Sequence, residues 1–266
     1  EDCPAGASRT EARWENCLGA GGNGWASDGP SPGVTARDLA AYAAVGRKPD
    51  HECYDVATML ERRRLGQYIL MRVASSADDL KTLVKGITPA NARRCVLCTD
   101  DREAADVLAG GHLNKSLRQC VAEGIDPLLA VTFGTLNAAE CFGLKGKGGI
   151  APGWKADLAV VKDLKDFEVT QVFAGGRLIA ENGRLIEDLE DYRSDKVLNT
   201  VRIPALTVDS FKLPLRSENV RAIGVIPEGV LTNNKTLKVK LDASGNFDAG
   251  LNPGLNKIAV IERHKA

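Results

Sequence analysis

The sequence predicts an α/β protein whose first half alternates helices with buried parallel strands and whose second half is mostly β. Two observations support this fold class. The short apolar runs at residues 68–71 and 95–98 lie between helical patterns, an alternation typical of parallel sheets. After Gly143 the pattern changes to short strands separated by glycine-rich turns.

The elements of the first half follow from helix start and stop signals. Thr35 can cap a helix that runs through Val45, and Gly46 follows where that helix should end. Asp55 can cap a second helix to about Leu65. We also expect helices over residues 78–85, 114–123 and 127–142, and strands over residues 68–71 and 95–98.

The second half is expected to be β-rich. Its turn pairs are Gly175-Gly176 and Asn182-Gly183. Charge dominates residues 191–202, which favours a solvated linker. Strands are predicted over residues 157–161, 169–173, 220–226, 237–241 and 258–261.

Composition excludes several classes of protein. The 266 residues hold 35 Lys and Arg against 35 Asp and Glu, so the net charge is zero and no basic excess indicates nucleic-acid or membrane binding. No apolar run reaches about 18 residues, and residues 1–4 do not resemble a signal peptide. We therefore expect a cytoplasmic protein with a small-molecule substrate. The seven cysteines are expected to be reduced thiols.

Asp100 and Asp101 are the first candidate site residues, because they follow the apolar run 95–98. The carboxyl ends of parallel strands are where α/β proteins place their chemistry. Such a carboxylate can bind a metal or accept a proton. Alternatively, either aspartate caps the next helix or pairs with Arg102.

His51 and Glu52 form the second candidate pair, at a predicted strand-to-helix junction. An imidazole there can bind a metal and face the same edge as Asp100, although a lone histidine is more often structural. His112 can simply begin a helix, and His264 lies in a terminal tail. Cys95 and Cys98 form a CxxC motif, but residues three apart on a strand face opposite sides, which favours buried thiols.

Several segments together resemble adenine deaminases of the amidohydrolase superfamily. They include Asp50-His51-Glu52 and Thr99-Asp100-Asp101-Arg102, and they run in order over about 235 residues. The resembling segments are residues 28–33, 50–52, 97–102, 111–112, 135–140, 150–153, 156–158 and 258–264.

The resemblance implies a partial (β/α)8 TIM barrel, formed by C-terminal βα units, followed by a mostly β domain. It divides the chain into a poorly structured segment (1–34), the C-terminal part of a metal-dependent hydrolase barrel (35–145) and a truncated β-rich domain (146–266). Since a full barrel needs about 250 residues, we expect a fragment truncated at both ends. Pro30 stands where the family has a histidine ligand, and Val73 where it has glutamate.

The resemblance also assigns roles. His51 and Asp100 are implied as metal ligands, Asp100, Asp101 and Glu52 as catalytic residues, and Arg102 and His112 as substrate-binding residues, with no further cofactor-binding residue. The implied cofactor is Mn²⁺ or Fe²⁺ in a binuclear site, and the implied partners are adenine and further copies of the chain in a homo-oligomer.

The implied reaction is hydrolysis of adenine to hypoxanthine and ammonia by metal-activated hydroxide. Two alternatives stay open: an inactive or partner-dependent fragment, and an amidohydrolase acting on another heterocyclic amidine or amide.

Overall fold

The computed structural model describes residues 28–186, 193–227 and 231–264. The segment predicted to be poorly structured falls mostly outside them, and its described part, residues 28–34, holds no helix or strand. The chain divides into two compact units, residues 1–188 with 226–231 and residues 189–225 with 232–266. This division falls elsewhere than the boundary expected near residue 145, so the predicted domain limits stay a prediction.

The described part of the first unit begins with alternating helices and strands, which confirms the mixed α/β class. Its helices are α1 (Ala36–Ala44), α2 (Val56–Arg64), α3 (Leu80–Leu83), α4 (Ala104–Gly110), α5 (Leu113–Ala122), α6 (Pro127–Gly134) and α7 (Leu136–Cys141). Its first strands are β1 (Pro49–Asp50), β2 (Tyr68–Arg72) and β3 (Cys95–Cys98).

These three strands form a parallel sheet in the order β1-β2-β3 within the described residues. Asp50 pairs with Ile69, and Arg72 pairs with Cys98. Because the strands are parallel, their carboxyl ends meet at one edge of the sheet. That edge therefore receives the residues that follow each strand.

The larger core lies on one face of this sheet. Its fully buried members come from β2, β3 and the helices packed on them, and include Met59, Ile69, Met71, Leu80, Leu83, Cys95, Cys120, Ala130 and Phe133. Cys95 belongs to this cluster, whereas Cys98 packs against the smaller cluster around Leu70 and Val96. The opposite orientation predicted for the two thiols is confirmed, and every cysteine in the described residues is a free thiol.

The capping box of α2 stabilises the helix that follows the predicted site residues. The Thr58 amide donates to Asp55 Oδ1 at 2.7 Å, and the Thr58 hydroxyl contacts the Asp55 amide. We expect Asp55→Ala to lower the free energy of unfolding by about 1 kcal/mol. Urea denaturation checks this value, and a loss below about 0.3 kcal/mol would show that water replaces the cap.

Two predictions about helices are wrong, and one helix was not predicted. The helix expected over residues 127–142 is two helices, because Thr135 has non-helical φ and ψ of −130° and −91°. Only four of residues 78–85 are α-helical, and a 3₁₀ turn over Val84–Gly86 follows them. Helix α4 was not anticipated; none of its residues is buried, so no buried face sets an amphipathic pattern in its sequence.

An antiparallel sheet completes the described part of the first unit. It contains β4 (Leu158–Val161), β5 (Val169–Ala174), β6 (Arg177–Glu181) and β7 (Arg184–Leu185), in that order. Gly175-Gly176 and Asn182-Gly183 make the two tight turns, and all four residues have positive φ. The predicted hairpin turns are confirmed, because such turns need residues that tolerate the left-handed region.

The second unit contains one described hairpin, β8 (Asn219–Val225) and β9 (Thr232–Lys238). Strand β9 lies about five residues earlier than the expected strand at 237–241. Residues 193–202 are exposed apart from half-buried Ser194, in agreement with a solvated linker, whereas 191 and 192 lie outside the described residues. The strand predicted at 258–261 is wrong, because all four residues are exposed and the segment has no buried face.

No helix in the described ranges is both long and apolar enough to cross a membrane.

Candidate active site

The carboxyl edge of the parallel sheet gathers charged side chains from all three strands. His51 follows β1, Arg72 ends β2, and Asp100 lies two residues beyond β3. The Nε2 atom of His51 lies 3.8 Å from Oδ2 of Asp100. The structure thus brings His51 and Asp100 together at the edge where the sequence analysis placed them.

A carboxylate outside the sheet orients the His51 ring. Asp28 Oδ2 lies 2.9 Å from Nδ1 of His51, which turns Nε2 toward Asp100. This hydrogen bond raises the pKa of His51; burial opposes the rise, and the Asp28, Asp100 and Glu52 charges add to it. A carboxylate that fixes the orientation of an imidazole ring is typical of functional histidines.

Asp100 is held in an unusual backbone conformation. Its φ is +50°, in the left-handed region that non-glycine residues rarely adopt. Its Oδ2 atom accepts a hydrogen bond from Arg72 Nη1 at 2.9 Å. Neither Asp100 nor Asp101 caps the next helix, since α4 begins after Glu103. The capping alternative is therefore not observed.

Glu52 lies at the same edge and is largely buried. Its Oε1 atom is 3.9 Å from Arg72 Nη1. Burial raises the pKa of Glu52, while His51 and Arg72 oppose the rise. A carboxyl group with a raised pKa can hold a proton closer to neutral pH than an exposed glutamate.

The remaining predicted residues lie in the loops that follow β3. Asp101 accepts a hydrogen bond from the Ser76 hydroxyl at 2.6 Å. Arg102 donates to the carbonyl oxygens of Gly111 and Asp106, both at 3.0 Å. These contacts tie the loop together. Their roles in catalysis and substrate binding stay predictions.

His112 begins a helix, which is one of the interpretations that the sequence left open. It is the N-cap residue of α5, and its Nε2 atom lies 3.0 Å from the Thr99 hydroxyl. The ring is thereby tied to the residue that precedes Asp100.

A buried ion pair connects two of the segments that form this edge. Arg62 Nε donates to Asp50 Oδ2 at 2.7 Å, and both side chains are essentially unexposed. The same Arg62 donates to the Ser31 hydroxyl at 3.0 Å and to the Ser31 carbonyl. Asp50 in turn accepts from the Glu52 amide at 2.7 Å. The pair thus joins the segment carrying Asp28 to the loop carrying His51 and Glu52.

The described residues do not fit a complete metal centre. Metal sites in enzymes use three or four protein ligands, and no group of three suitable side chains occurs in the described ranges. His51 and Asp100 supply two, and Arg72 already occupies one oxygen of Asp100. We therefore derive no catalytic step through a metal ion from these residues.

Sequence reasoning missed Asp28 and Arg72. Arg72 carried a readable signal, because it is a charged residue directly after the apolar run 68–71. Asp28 carried none, since it lies in an irregular segment 23 residues before His51. Contacts of that kind depend on how the chain folds back, which periodicity does not report.

The Asp28–His51 pair predicts a pH-dependent stability. The contact raises the pKa of His51 in the folded state above its ordinary value of about 6.5. It therefore contributes its full stabilisation below about pH 6.5, and this contribution is lost as the pH rises through the raised pKa. We expect Asp28→Asn to lower the pKa of His51, measured by NMR of the imidazole ring in metal-free protein. A pKa unchanged by this substitution would contradict the contact.

Comparison with known proteins shows which families and proteins the chain is similar to. Residues 53–179 match the model of the Amidohydrolase family. Adenine deaminase from Nitratidesulfovibrio vulgaris (strain DP4) is 51% identical over 239 residues, which are 90% of this chain and 41% of that protein. Adenine deaminase 2 from Desulfotalea psychrophila (strain LSv54 / DSM 12343) is 38% identical over 264 residues, 99% of this chain and 46% of that protein.

A solved structure is also similar to the chain. N-acetyl-D-glucosamine-6-phosphate deacetylase from Mycobacterium smegmatis has a TM-score of 0.48 and 18% identity, and the match covers 65% of this chain and 53% of that chain. The chain spans less than half the length of the two adenine deaminases. Residues 53–179 thus match the Amidohydrolase family, in a chain that is similar over about 90% or more of its length to parts of adenine deaminases.

Proposed function

We propose that this chain forms part of an adenine deaminase, which hydrolyses adenine to hypoxanthine and ammonia. The observation that carries the proposal is the convergence of His51 and Asp100, 3.8 Å apart, at the carboxyl edge of a parallel sheet. The identity to adenine deaminases over 90% of the chain supports adenine as the substrate. It favours adenine over another heterocycle as the substrate.

Proton transfer is the work proposed for Asp100. The oxygen of a water molecule forms a bond to C6 of adenine, and the bond from C6 to the amino nitrogen breaks. Water gives up two protons. One goes to the departing amino group, which leaves as ammonia. The other is released to solvent when the C6 oxygen becomes the carbonyl of hypoxanthine, and a ring nitrogen of hypoxanthine takes up a proton in its place. A carboxylate at the edge can accept and return the transferred proton.

Neighbouring side chains would support this transfer. His51 would orient the reacting groups through Nε2. Glu52, with its raised pKa, would hold a proton near the same edge. Asp101 is proposed as a further catalytic residue, and Arg102 and His112 as binding residues for the purine, because their loops border Asp100.

The wider setting follows the same family likeness. We propose that β1, β2 and β3 are part of a (β/α)8 barrel followed by a mostly β domain. The family likeness implies a divalent metal. Mn²⁺ or Fe²⁺ stays the predicted cofactor of the whole site, with His51 and Asp100 as two of its ligands. A cytoplasmic location, homo-oligomers and the lack of nucleic-acid or membrane partners also stay predictions.

A substrate panel tests the proposed function. The purified chain, with Mn²⁺ or Fe²⁺ supplied, is incubated separately with adenine, adenosine, guanine and cytosine, and ammonia release is measured. We expect adenine to be the preferred substrate by kcat/KM. Turnover of another base with adenine inert would favour the alternative hydrolase on the same scaffold.

A further inference from the structure

Arg72 is a buried cation that links loops from all three parallel strands. Its side chain is only 3% exposed. Nη1 donates to Asp100 Oδ2 at 2.9 Å and lies 3.9 Å from Glu52 Oε1. Nε and Nη2 both donate to Asp79 Oδ2, at 3.1 and 2.8 Å. One guanidinium therefore contacts carboxylates that follow β1, β2 and β3.

Asp79 fixes the direction of this guanidinium. The two residues are joined twice, because the Asp79 amide also donates to the Arg72 carbonyl at 3.1 Å. Asp79 is 4% exposed, so water competes little for its oxygen. Since the guanidinium is planar and rigid, fixing Nε and Nη2 on Asp79 also fixes where Nη1 points, which is toward Asp100.

Asp100 needs such a partner. Its positive φ of +50° is unfavourable for a residue with a side chain. Strained backbone of this kind persists where the surroundings hold it. The charge-assisted hydrogen bond from Arg72 is the contact that reaches the Asp100 side chain from a rigid element, since Arg72 ends a buried strand.

The hydrogen bond uses only one of the two carboxylate oxygens. Both Arg72 and His51 face Oδ2 of Asp100. Within residues 28–186, no hydrogen bond of the structure ends on Oδ1 of Asp100. Arg72 thus anchors the carboxylate at Oδ2.

We propose that Arg72, held by Asp79, is a positioning residue that fixes Asp100, the residue proposed to carry the proton, through Oδ2. This proposal rests on the proposed function, in which Asp100 carries that proton. Arg72 itself does not touch the substrate. Its contribution is to set the position of the carboxylate before the substrate arrives.

The test compares Arg72→Lys and Asp79→Asn with Arg93→Lys. Lysine keeps the charge but has one nitrogen, which does not reach both partners as the guanidinium does. Asp79→Asn keeps an acceptor oxygen and the size of the side chain, but it weakens the hold on Arg72. It therefore provides a second test if Arg72→Lys fails to fold. Arg93 is the matched control, because it pairs with Glu140 at 3.1 Å on the surface, with 79% of its side chain exposed.

Two readouts are measured on each variant. For adenine turnover, we expect Arg72→Lys to lower kcat about 100-fold, the loss that a 1 Å misplacement can cause, with KM changed less than about threefold. For amide hydrogen exchange by mass spectrometry, we expect about tenfold faster exchange in residues 99–103, the effect of losing one charge-assisted hydrogen bond. Asp79→Asn should give smaller changes of both kinds, and Arg93→Lys neither.

The two readouts separate this proposal from the proposed function. If the unmodified chain does not turn over adenine, the proposed function is wrong. The amide hydrogen exchange of residues 99–103 then remains as the measurement that shows whether Arg72 fixes the loop. Exchange there that is unchanged in both Arg72→Lys and Asp79→Asn overturns the positioning role. A uniform rise across the first unit, or faster loop exchange with kcat intact, overturns it as well.

Discussion

Asp100→Asn is expected to lower kcat for adenine by about 10²–10⁴-fold, the range for removing a positioned general acid or base. Asparagine keeps an oxygen that can accept the Arg72 hydrogen bond seen at 2.9 Å, so the loop geometry should survive. What it loses is the ability to take up a proton. The change should therefore appear in kcat under saturating adenine, and circular dichroism of the variant should match that of the unmodified chain.

Asp101→Asn is the comparison that makes this result specific. Asp101 is adjacent in sequence and equal in charge, but its carboxylate contacts the Ser76 hydroxyl, whereas Arg72 and His51 contact Asp100. We expect its effect on kcat to be smaller than that of Asp100→Asn by at least about tenfold. Equal losses in both variants would contradict the assignment of the proton to Asp100.

Arg62→Met is expected to cost about 3–5 kcal/mol of unfolding free energy, the loss typical of breaking a buried ion pair on one side. Methionine fills much of the space but leaves the Asp50 carboxylate buried without the donor that lies 2.7 Å from it. The Ser31 hydroxyl and carbonyl lose their donor too. Urea denaturation with an unchanged m-value measures the effect.

Two further variants show whether the pair itself is responsible. The double variant Arg62→Met with Asp50→Asn should lose less stability than the sum of the two single variants, because removing both charges leaves none unpaired. Arg93→Met, at the exposed pair with Glu140, should change stability far less, since surface pairs contribute little. A loss below about 1 kcal/mol in Arg62→Met would show that water reaches Asp50.

Local signals made β2, β3 and the first two helices predictable. Thr35 and Asp55 precede α1 and α2 as expected, and β3 spans the apolar run Cys95–Cys98. The meeting of His51 and Asp100 was predictable for a different reason, since parallel strands bring their carboxyl ends to one edge. Strand β1 is two residues long, too short for any periodicity to show.

The supporting network of the site was not predictable from spacing. Arg62 reads as one of three consecutive arginines in α2, yet it is fully buried because Asp50 and Ser31 accept its hydrogen bonds. Asp28 reaches His51 from an irregular segment. Burial of a charged side chain is decided by partners distant in sequence, and the sequence alone does not identify those partners.

Conversion of adenine in ¹⁸O-labelled water by the purified chain tests the central claim most directly. Mass spectrometry of the purine and an ammonia assay are run on the same sample, with metal content recorded. Hydrolysis at this site predicts one ¹⁸O atom at C6 of hypoxanthine and one ammonia per hypoxanthine, with both products strongly reduced in Asp100→Asn. A folded, metal-supplied chain that forms neither product, or one whose turnover is unaffected by Asp100→Asn, would contradict the assignment.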